Sequence, residues 1–281
     1  MLAPQRQQAI LELVRRRGGV RVTELVRAFG VSDLTIRRDL AHLAGRGLVA
    51  KVRGGATAVT GASLTTDEPG FAVRSVRRDA EKQAIARRAA ALVRPGTAVA
   101  LSAGTTTWTL ARHLTGVPGL TVVTNSVRVA DVFRLAGRPD QTIVLTGGVR
   151  TPSDALVGPV AVAAIRRLNV DLLFLGVHGM TVRAGFTTPN LMEAETGRAL
   201  VESAGRLVVP ADHSKWGMVG ISTIAELTEA DVLISDAGLP QPARDTLAAH
   251  VGELLIADTP ALRRRTRGDA ITPAPPPEQR M

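Results

Sequence analysis

Two adjacent arginines, Arg37 and Arg38, carry side chains that could bind a nucleic acid through paired hydrogen bonds. Ile36, Leu40 and Leu43 follow one another at i, i+4 and i+7 spacing and predict the buried side of a helix. At 100° per residue, Arg38 points away from that side and Arg37 lies at the edge of the outer face. The planar guanidinium group can donate two parallel hydrogen bonds to guanine O6 and N7. For a single arginine, a solvated side chain without a partner is the alternative.

A second group of residues, Gly104-Thr105-Thr106-Thr107, could hold a phosphate. It follows the apolar run Ala98–Leu101 and Ser102, and it precedes a helical stretch from Trp108. Backbone N–H groups, the positive end of a helix dipole and threonine hydroxyls converge on an anion at such a turn. A Gly-Thr pair that only starts a helix is the alternative.

Further polar residues follow other apolar runs, where the strands of a parallel sheet end and where such folds bind ligands. Lys215 is one of only three lysines, while arginine fills nearly every other basic position, so a contact with phosphate or sugar oxygen is one interpretation. A surface lysine kept by chance is the other. His113 and His178 lack metal-ligand spacing, and we expect no metal or other cofactor. The candidates are Asn125, Gly147 and Gly148 with Arg150, Gly176–Gly179, Glu193, and Lys215 beside Asp212 and Ser214.

The elements around Arg37 and Arg38 fit a small helical unit with a β-hairpin. Periodicity predicts helices over residues 4–17 and Val22–Phe29, and a third helix capped by Ser32. Leu48–Val52 reads as a strand, followed by a Gly-Gly turn that predicts a wing. Lys51 and Arg53 in this wing would contact DNA backbone or the minor groove, which sets position rather than sequence. Residues 1–58 are thus predicted to form a winged helix-turn-helix.

The rest of the chain predicts an α/β domain over residues 73–258, joined by a linker over 59–72. A charged helix is expected from about Val73. Short apolar runs then alternate with helical stretches, which predicts a mainly parallel sheet covered on both faces. The predicted strands are Ala98–Leu101, Leu120–Thr124, Thr142–Thr146, Leu172–Gly176, Arg206–Pro210 and Val232–Ser235; the helices lie near 106–114, 127–136, 158–168, 191–203 and 240–249. Residues 259–281 are basic and Pro-rich, and we expect a disordered tail.

Charge is concentrated at the two ends of this 281-residue chain. Residues 1–60 carry 11 Lys/Arg and 4 Asp/Glu, residues 61–258 are neutral, and the tail has a net charge of +3. A basic module on a neutral body suggests that this module meets a polyanion; a solvated basic face is the alternative. No cysteine is present, which excludes disulfides and thiolate sites. No apolar run could span a bilayer and no signal peptide is evident, so we expect a cytoplasmic protein without a membrane partner.

The segment VSDLTIRRDLAHLAGRGLVAKVRGGA, residues 31–56, resembles the helix-turn-helix signature of DeoR-type bacterial repressors, in which "VS…TIRRDL…L…G…GGA" recurs. The resemblance covers roughly residues 4–240. It implies a winged helix bound to double-stranded operator DNA. Ser32, Thr35, Arg37 and Arg38 would make the groove contacts.

The second domain resembles the DeoR effector domain, because GTTT, TNS, Gly147-Gly148, Gly158, the Glu193 helix and DHSKWG occur in family order. That domain is similar in fold to ribose-5-phosphate isomerase and glucosamine-6-phosphate deaminase. The resemblance implies a phosphorylated sugar as effector, with its phosphate on Gly104–Thr107 and Lys215 and Arg150 nearby. Three departures concern the ligand: Ser102 replaces a frequent acidic residue, Met180-Thr181 replace a common Asp, and Gly197-Arg198 stand where a lysine is usual.

The leading hypothesis is a transcriptional regulator, expected to repress carbohydrate-metabolism genes under control of a phosphorylated sugar. We expect a homodimer or homotetramer, because one small module rarely binds DNA specifically enough alone. The alternative is a sugar-phosphate isomerase or deaminase with a DNA-binding appendage. Asp171, Glu193 and Asp212 are available for acid–base chemistry, but Gly176–Gly179 lacks carboxylates, and we expect no catalysis. A third possibility is an α/β domain that serves only in oligomerisation.

Overall fold

A computed structural model describes residues 3–17, 19–45, 48–52, 54–57, 71–151 and 153–258. The N-terminal part is a three-helix unit with a small antiparallel sheet, ordered β1-β3-β2. Its elements are α1 (Ala3–Arg17), β1 (Gly19–Arg21), α2 (Val22–Phe29), α3 (Asp33–Gly45), β2 (Ala50–Val52) and β3 (Gly55–Thr57).

The core of this unit is built from the helix faces that the periodicity predicts. Ile10, Leu25, Ile36 and Leu40 are almost fully buried. Strand β1 was not predicted; it pairs with β3 and places Val20 opposite Ala56. A Cβ atom at Gly55 would lie 2.2 Å from the carbonyl oxygen of Val20, so the two strands can approach this closely only at a glycine.

The larger part is an α/β domain around a seven-stranded parallel sheet, which confirms the predicted fold class. Its helices are α4 (Phe71–Val76), α5 (Asp79–Ala90), α6 (Thr105–Leu114), α7 (Val127–Ala136), α8 (Pro159–Ile165), α9 (Leu191–Glu202) and α10 (Gln241–Ala248). Its strands are β4 (Ala98–Leu101), β5 (Thr121–Thr124), β6 (Thr142–Leu145), β7 (Val149–Arg150), β8 (Leu156–Val157), β9 (Leu172–Phe174), β10 (Gly179–Thr181), β11 (Gly185–Thr188), β12 (Leu207–Pro210), β13 (Ser222–Ala225), β14 (Val232–Asp236) and β15 (Glu253–Ala257).

The parallel strands are apolar because both faces of the sheet are covered. In β9, Leu172 and Phe174 pack into one core and Leu173 packs into the other. The same alternation occurs in β12, where Val208 and Val209 point to opposite cores. These runs therefore lack the polar alternation of a half-exposed strand. None of the helices in the described ranges is long and apolar enough to cross a membrane.

The sequence did not predict four strand pairings of this domain, and it placed one helix wrongly. β15 extends the main sheet beside β14, β7 and β8 form a hairpin, and β10, β11 and β13 form a second small sheet. The charged helix expected from about Val73 is two helices, and the first starts at Phe71, inside the predicted linker. Arg78 breaks the helix with a left-handed backbone, φ 52°. Its side chain lies against Asp212 and His213, and such tertiary contacts override local helix propensity.

The strand order β15-β14-β12-β9-β4-β5-β6 reverses direction between β4 and β9. From β4 the chain runs outward through β5 to β6, and from β9 it runs the other way through β12 and β14. At such a switch point the loops leave the sheet on opposite sides and open a crevice at the carboxyl ends of the strands. Ser102 follows β4 and Leu175 follows β9, so this crevice adjoins the predicted phosphate turn.

Candidate functional site

The start of α3 is fixed by a hydroxyl pair. The oxygens Ser32 Oγ and Thr35 Oγ1 lie 2.9 Å apart, and the backbone N–H of Thr35 donates to Ser32 Oγ at 3.3 Å. Ser32 thus caps the helix, as its residue type predicts. Its hydroxyl is exposed and stays accessible to a phosphate.

The two arginines of α3 are both exposed, but only one has an ion-pair partner among the described residues. Arg37 donates through Nε to Asp33 Oδ1 and through Nη2 to Oδ2 at 3.3 Å. The hydrogen bond that Arg37 donates to Asp33 raises the pKa of Arg37 above its ordinary value. No side-chain hydrogen bond engages Arg38 within the described ranges. Leu34 beside them is 67% exposed, as expected for the outer face.

A buried ion pair between α1 and α3 was not predicted from the sequence. Arg6 Nε on α1 donates to Asp39 Oδ2 at 2.6 Å, and Gln7 Nε2 donates to Oδ1 at 2.8 Å. Asp39 follows Arg38 directly and is 3% exposed. This contact sets α3 against α1, and its partners lie more than 30 residues apart, beyond the reach of a local pattern.

The predicted wing residues are only partly described. Lys51 lies in β2 opposite Ala56 of β3, which places it in the expected hairpin. Arg53 lies outside the described residues.

In the α/β domain, Ser102 joins the two strands that flank the crevice. Its hydroxyl accepts a hydrogen bond from the backbone N–H of Gly176 at 2.8 Å, and its own N–H donates to the Phe174 carbonyl at 3.1 Å. The Asn125 side chain supports the same turn, because its Oδ1 accepts from Ala103 N–H at 2.8 Å and its Nδ2 donates to the Leu156 carbonyl at 3.1 Å. Both residues are therefore structural parts of the crevice.

The three threonines at the start of α6 have different roles. Gly104 is the N-cap, and α6 begins at Thr105. Thr107 Oγ1 donates to the Ser102 carbonyl at 2.7 Å, so it is committed to the turn. The hydroxyls of Thr105 and Thr106 have no such partner in the described part of the chain, and the first-turn N–H groups are free of helical acceptors. This helix start can donate several hydrogen bonds to an anion.

Glu193 lies in the first turn of α9 and faces the same crevice. Its carboxylate accepts hydrogen bonds from the hydroxyls of Thr151 at 3.0 Å, Thr188 at 3.1 Å and Ser153. The crevice encloses about 40 Å³ and is lined by Ser102, Ala103, Asn125, Ala155, Leu175, Gly176, Thr188, Glu193, Gly197, Leu200 and Ile224. A small-molecule site measures about 300–1,000 Å³, so a sugar phosphate requires the crevice to open.

Arg150 shares the carboxylate of Asp154 with Arg128, and Asp154 directly precedes Ala155, which lines the crevice. Arg150 Nε donates to Asp154 Oδ1 at 2.9 Å, and Arg128 donates to Oδ2 of the same side chain. Burial acts to raise the pKa of Asp154, but the hydrogen bonds from Arg128 and Arg150 hold it below its ordinary value. Asp154 is thus an anion held between two guanidinium groups.

Gly147 and Gly148 follow β6 and have a structural reason to be glycine. Both have positive φ, 72° and 115°. A Cβ atom at Gly148 would lie 2.5 Å from the Val157 carbonyl oxygen, so the chain just before β7 passes close to β8 there. Neither lines the crevice at β4 and β9.

Lys215 lies in the turn after β12, which is the sheet neighbour of β9, in a cluster of charged residues outside the lining of the crevice. Asp212 caps this turn by accepting from the Ser214 N–H at 3.0 Å. Lys82, another of the three lysines, is 4% exposed and donates to the carbonyl of Arg77 at 2.6 Å and to that of Arg74. Desolvation lowers its pKa to about 8; Asp212 opposes this shift and Lys215 adds to it.

His213 in the same turn was not predicted as a functional residue. Its Nδ1 lies 2.7 Å from Asp236 Oδ2, and its Nε2 lies 2.8 Å from Nη1 of Arg78. The hydrogen bond with Asp236 raises the pKa of His213 despite partial burial and the Arg78 charge. Two signals in the sequence could have indicated this cluster. One is the rarity of lysine, and the other is the position of His213 after β12 and of Asp236 at the end of β14.

Asp171, Glu193 and Asp212, the carboxylates available to a sugar-phosphate isomerase or deaminase, do not line one cavity. Asp171 Oδ2 accepts from the backbone N–H of Ala98, at the amino end of β4. Glu193 lines the crevice, whereas Asp212 belongs to the turn after β12. Among the described residues, these three carboxylates therefore lie in three different places.

Family models match both parts of the chain. Residues 6–61 match the DeoR-like helix-turn-helix domain, and residues 77–237 match the DeoR C terminal sensor domain. Among solved structures, ribose 5-phosphate isomerase A from Methanocaldococcus jannaschii aligns with a TM-score of 0.36 at 16% identity, covering 49% of this chain and 54% of that one. The eIF2B delta subunit from Chaetomium thermophilum aligns with a TM-score of 0.38 at 15% sequence identity, and the alignment covers 52% of each chain.

Relatives align over nearly the whole chain. An uncharacterized HTH-type transcriptional regulator from Escherichia coli K12, YgbI, is 36% identical over 258 residues, 92% of this chain and 99% of the relative. The HTH-type transcriptional regulator GlpR of Haloferax volcanii is 38% identical over 248 residues, which cover 88% of this chain and 95% of the relative. A putative aga operon transcriptional repressor of Escherichia coli O157:H7 is 32% identical over 253 residues, which cover 90% of this chain and 93% of the relative. The chain is thus a DNA-binding transcriptional regulator of the DeoR family.

Proposed function

We propose that this regulator is a repressor of carbohydrate-metabolism genes whose DNA affinity is controlled by a phosphorylated sugar bound at the crevice between β4 and β9. One observation carries the proposal. The start of α6 offers two threonine hydroxyls and several backbone N–H groups that have no partner among the described residues, at the switch point where α/β sheets bind ligands.

The phosphate would lie against Gly104, Thr105 and Thr106. Lys215 and Arg150 would approach it from the two flanks, and Ser102, Asn125 and Glu193 would meet the sugar hydroxyls. Thr107, Gly147 and Gly148 would shape the backbone rather than touch the ligand. Opening the crevice requires Thr151 and Ser153 to release Glu193, since their hydroxyls now bind its carboxylate.

On double-stranded operator DNA, α3 would lie in the major groove. Arg38 would read a base edge, and Arg37, Ser32 and Thr35 would contact bases or phosphates beside it. Lys51 and Arg53 would position the wing on the backbone. A homodimer or homotetramer would place two such units on paired half-sites.

Two relatives support repression as the sign of control. They are the putative aga operon transcriptional repressor and the Transcriptional repressor AccR of Agrobacterium fabrum, 34% identical over 235 residues. Both names describe those proteins, and we extend the repressor role to this chain.

The test begins with the DNA and then adds the effector. A duplex selected from a random pool by the full chain serves as the operator. A panel of sugar phosphates, including ribose 5-phosphate and glucosamine 6-phosphate, is then titrated while tryptophan emission is followed, because Trp108 adjoins the phosphate turn and Trp216 adjoins Lys215. We expect one phosphorylated sugar, but not its free sugar, to change the emission in a saturable manner and to weaken duplex binding.

The variant that tests the anion site is Lys215→Ala. We expect it to lose at least tenfold in affinity for that sugar phosphate, since a charge-assisted contact contributes roughly 1.5–3 kcal/mol. Its duplex binding should be retained. Binding of the free sugar as tightly as the phosphate contradicts the anion site. Silence of the whole panel by emission and by calorimetry contradicts the effector class.

A further inference from the structure

Helix α4 is the first described element after the N-terminal unit, and its Phe71 fixes it to the sensor domain. The Phe71 ring is buried and meets the Trp108 ring edge to face, with centroids 5.7 Å apart and planes at 87°. Trp108 directly follows the Gly104–Thr107 turn on α6. The helix that leads to the DNA-binding unit is therefore docked beside the candidate anion site.

Arg128 makes a second contact with the same ring. Its guanidinium carbon lies 4.3 Å from the Phe71 ring centroid, within the range of a cation–π interaction. The same guanidinium donates through Nε to Asp154. Arg128 thus links α4 to the loop that follows β7.

Asp154 lies at the centre of this arrangement because its two carboxylate oxygens accept hydrogen bonds from two different arginines. Its buried carboxylate also accepts from Arg150 Nε at 2.9 Å. Its backbone is left-handed, φ 67°, a conformation that aspartate and asparagine tolerate better than most residues. The neighbouring hydroxyls of Thr151 and Ser153 reach Glu193 in the crevice. This loop therefore contacts the crevice on one side and Arg128 on the other.

We propose that Asp154, Arg128 and Phe71 connect the crevice to α4, so that a ligand in the crevice changes the docking of α4 and, through it, DNA binding. The inference rests on the proposed function. An anionic ligand that draws Arg150 away leaves both Asp154 oxygens to Arg128. Arg128 then shifts off the face of Phe71, and α4 loses one of its two aromatic-ring contacts. The ligand acts by shifting the population of docked α4.

The first test follows Trp108 emission in a Trp216→Phe background, where it is the remaining tryptophan. Asp154→Asn removes the charge and keeps the size and the left-handed backbone. We expect it to shift Trp108 emission through Arg128 and Phe71, and to cause no further shift when Phe71→Leu is also present. Asp140→Asn is the matched control, because Asp140 also pairs with an arginine, Arg138, outside this connection.

Asp140→Asn should leave Trp108 emission unchanged. The proposed connection is wrong if Asp154→Asn also leaves the emission unchanged. It is equally wrong if the emission shift caused by Asp154→Asn persists unchanged in the Phe71→Leu chain.

The second test measures affinity for the selected duplex in the full chain. Phe71→Leu and Asp154→Asn should each weaken binding by roughly fivefold or more, the range of allosteric coupling, because an undocked α4 must be ordered again on DNA. The double variant should bind no more weakly than the weaker single variant. Val76→Ala, an exposed position on the same helix, should bind as the wild type does. Thermal unfolding shows whether each variant is folded.

Wild-type affinity in either single variant, or a double variant that loses the product of the two single effects, overturns the proposal. Failure to select any duplex overturns the proposed function instead, and the emission measurements then decide whether the connection exists.

Discussion

At the scale of single residues, Arg37 and Arg38 are neighbours with different freedom to meet DNA. Arg37 is already bound to Asp33 through two nitrogens, whereas Arg38 extends from α3 without such a partner in the described ranges. An arginine that gives up no protein contact gains the full value of a new hydrogen bond. We therefore expect Arg38 to carry more of the sequence readout than Arg37.

Arg38→Ala should lose roughly 1–3 kcal/mol of binding to the selected duplex, about five- to 150-fold in affinity, and should relax the preference at one base pair. Arg37→Ala should lose less. Titration with the selected and an unrelated duplex measures both effects. The matched control is Arg134→Ala on α7, an exposed arginine of the sensor domain. An equal loss on the two duplexes would indicate a phosphate contact by Arg38 instead of base readout.

At the scale of elements, the turn after β12 is attached to the end of β14 by the ion pair of His213 and Asp236. The hydrogen bond raises the pKa of His213 above 6.5. Burial acts to raise the pKa of Asp236, but the hydrogen bonds from His213 and Gly238 hold it below 3.8. The histidine contribution to stability is present below pH 6.5 and is lost as pH rises through the raised pKa; the aspartate contribution is lost as pH falls through its lowered pKa.

His213→Asn should therefore lower the melting temperature most between these limits, at about pH 5, and much less at about pH 9. Thermal unfolding of both proteins at the two pH values measures the difference. His250→Asn is the control, because His250 Nδ1 bonds the Thr246 carbonyl at 2.8 Å and not a carboxylate. A His213→Asn effect of equal size at both pH values would assign the side chain to packing alone.

At the scale of the whole molecule, the charge distribution governs how the protein meets DNA. Residues 1–60 have a net charge of +7, residues 61–258 are neutral, and residues 259–281 add +3 through five arginines and two acidic residues. Each phosphate neutralised releases counterions, so affinity falls with salt in proportion to the number of such contacts.

Removal of residues 259–281 should reduce the slope of log affinity against log salt by at least about 0.9, the amount for one phosphate contact. Replacement of Arg263, Arg264 and Arg265 by glutamine should produce most of this change while keeping the chain length. Titrations of an unrelated duplex at several salt concentrations provide the slopes. Identical slopes for all three proteins would show that the tail does not touch DNA.

The sequence by itself determined the strands of the main sheet except β15, most of the helices, and the outward direction of Arg38. Periodicity places Ile36, Leu40 and Leu43 in the core and Arg38 outside it, and the apolar runs mark six of the seven parallel strands. The local geometry at Gly104–Thr107 was predictable too, since a strand, a Gly-Thr turn and a helix start are consecutive. These features depend on residues within one or two turns of each other, and local patterns record such spacing.

The tertiary structure decided which of these side chains are free. Thr107 bonds the Ser102 carbonyl, Asn125 supports the turn, and Glu193 is covered by hydroxyls from Thr151 and Ser153. The tertiary fold also broke the helix at Arg78, buried Lys82 and paired Asp39 with α1. The partners in several of these contacts lie some 20 to 135 residues apart, and strand order brings them together. A side chain's freedom to bind a ligand depends on such distant neighbours, and no periodicity in the sequence encodes them.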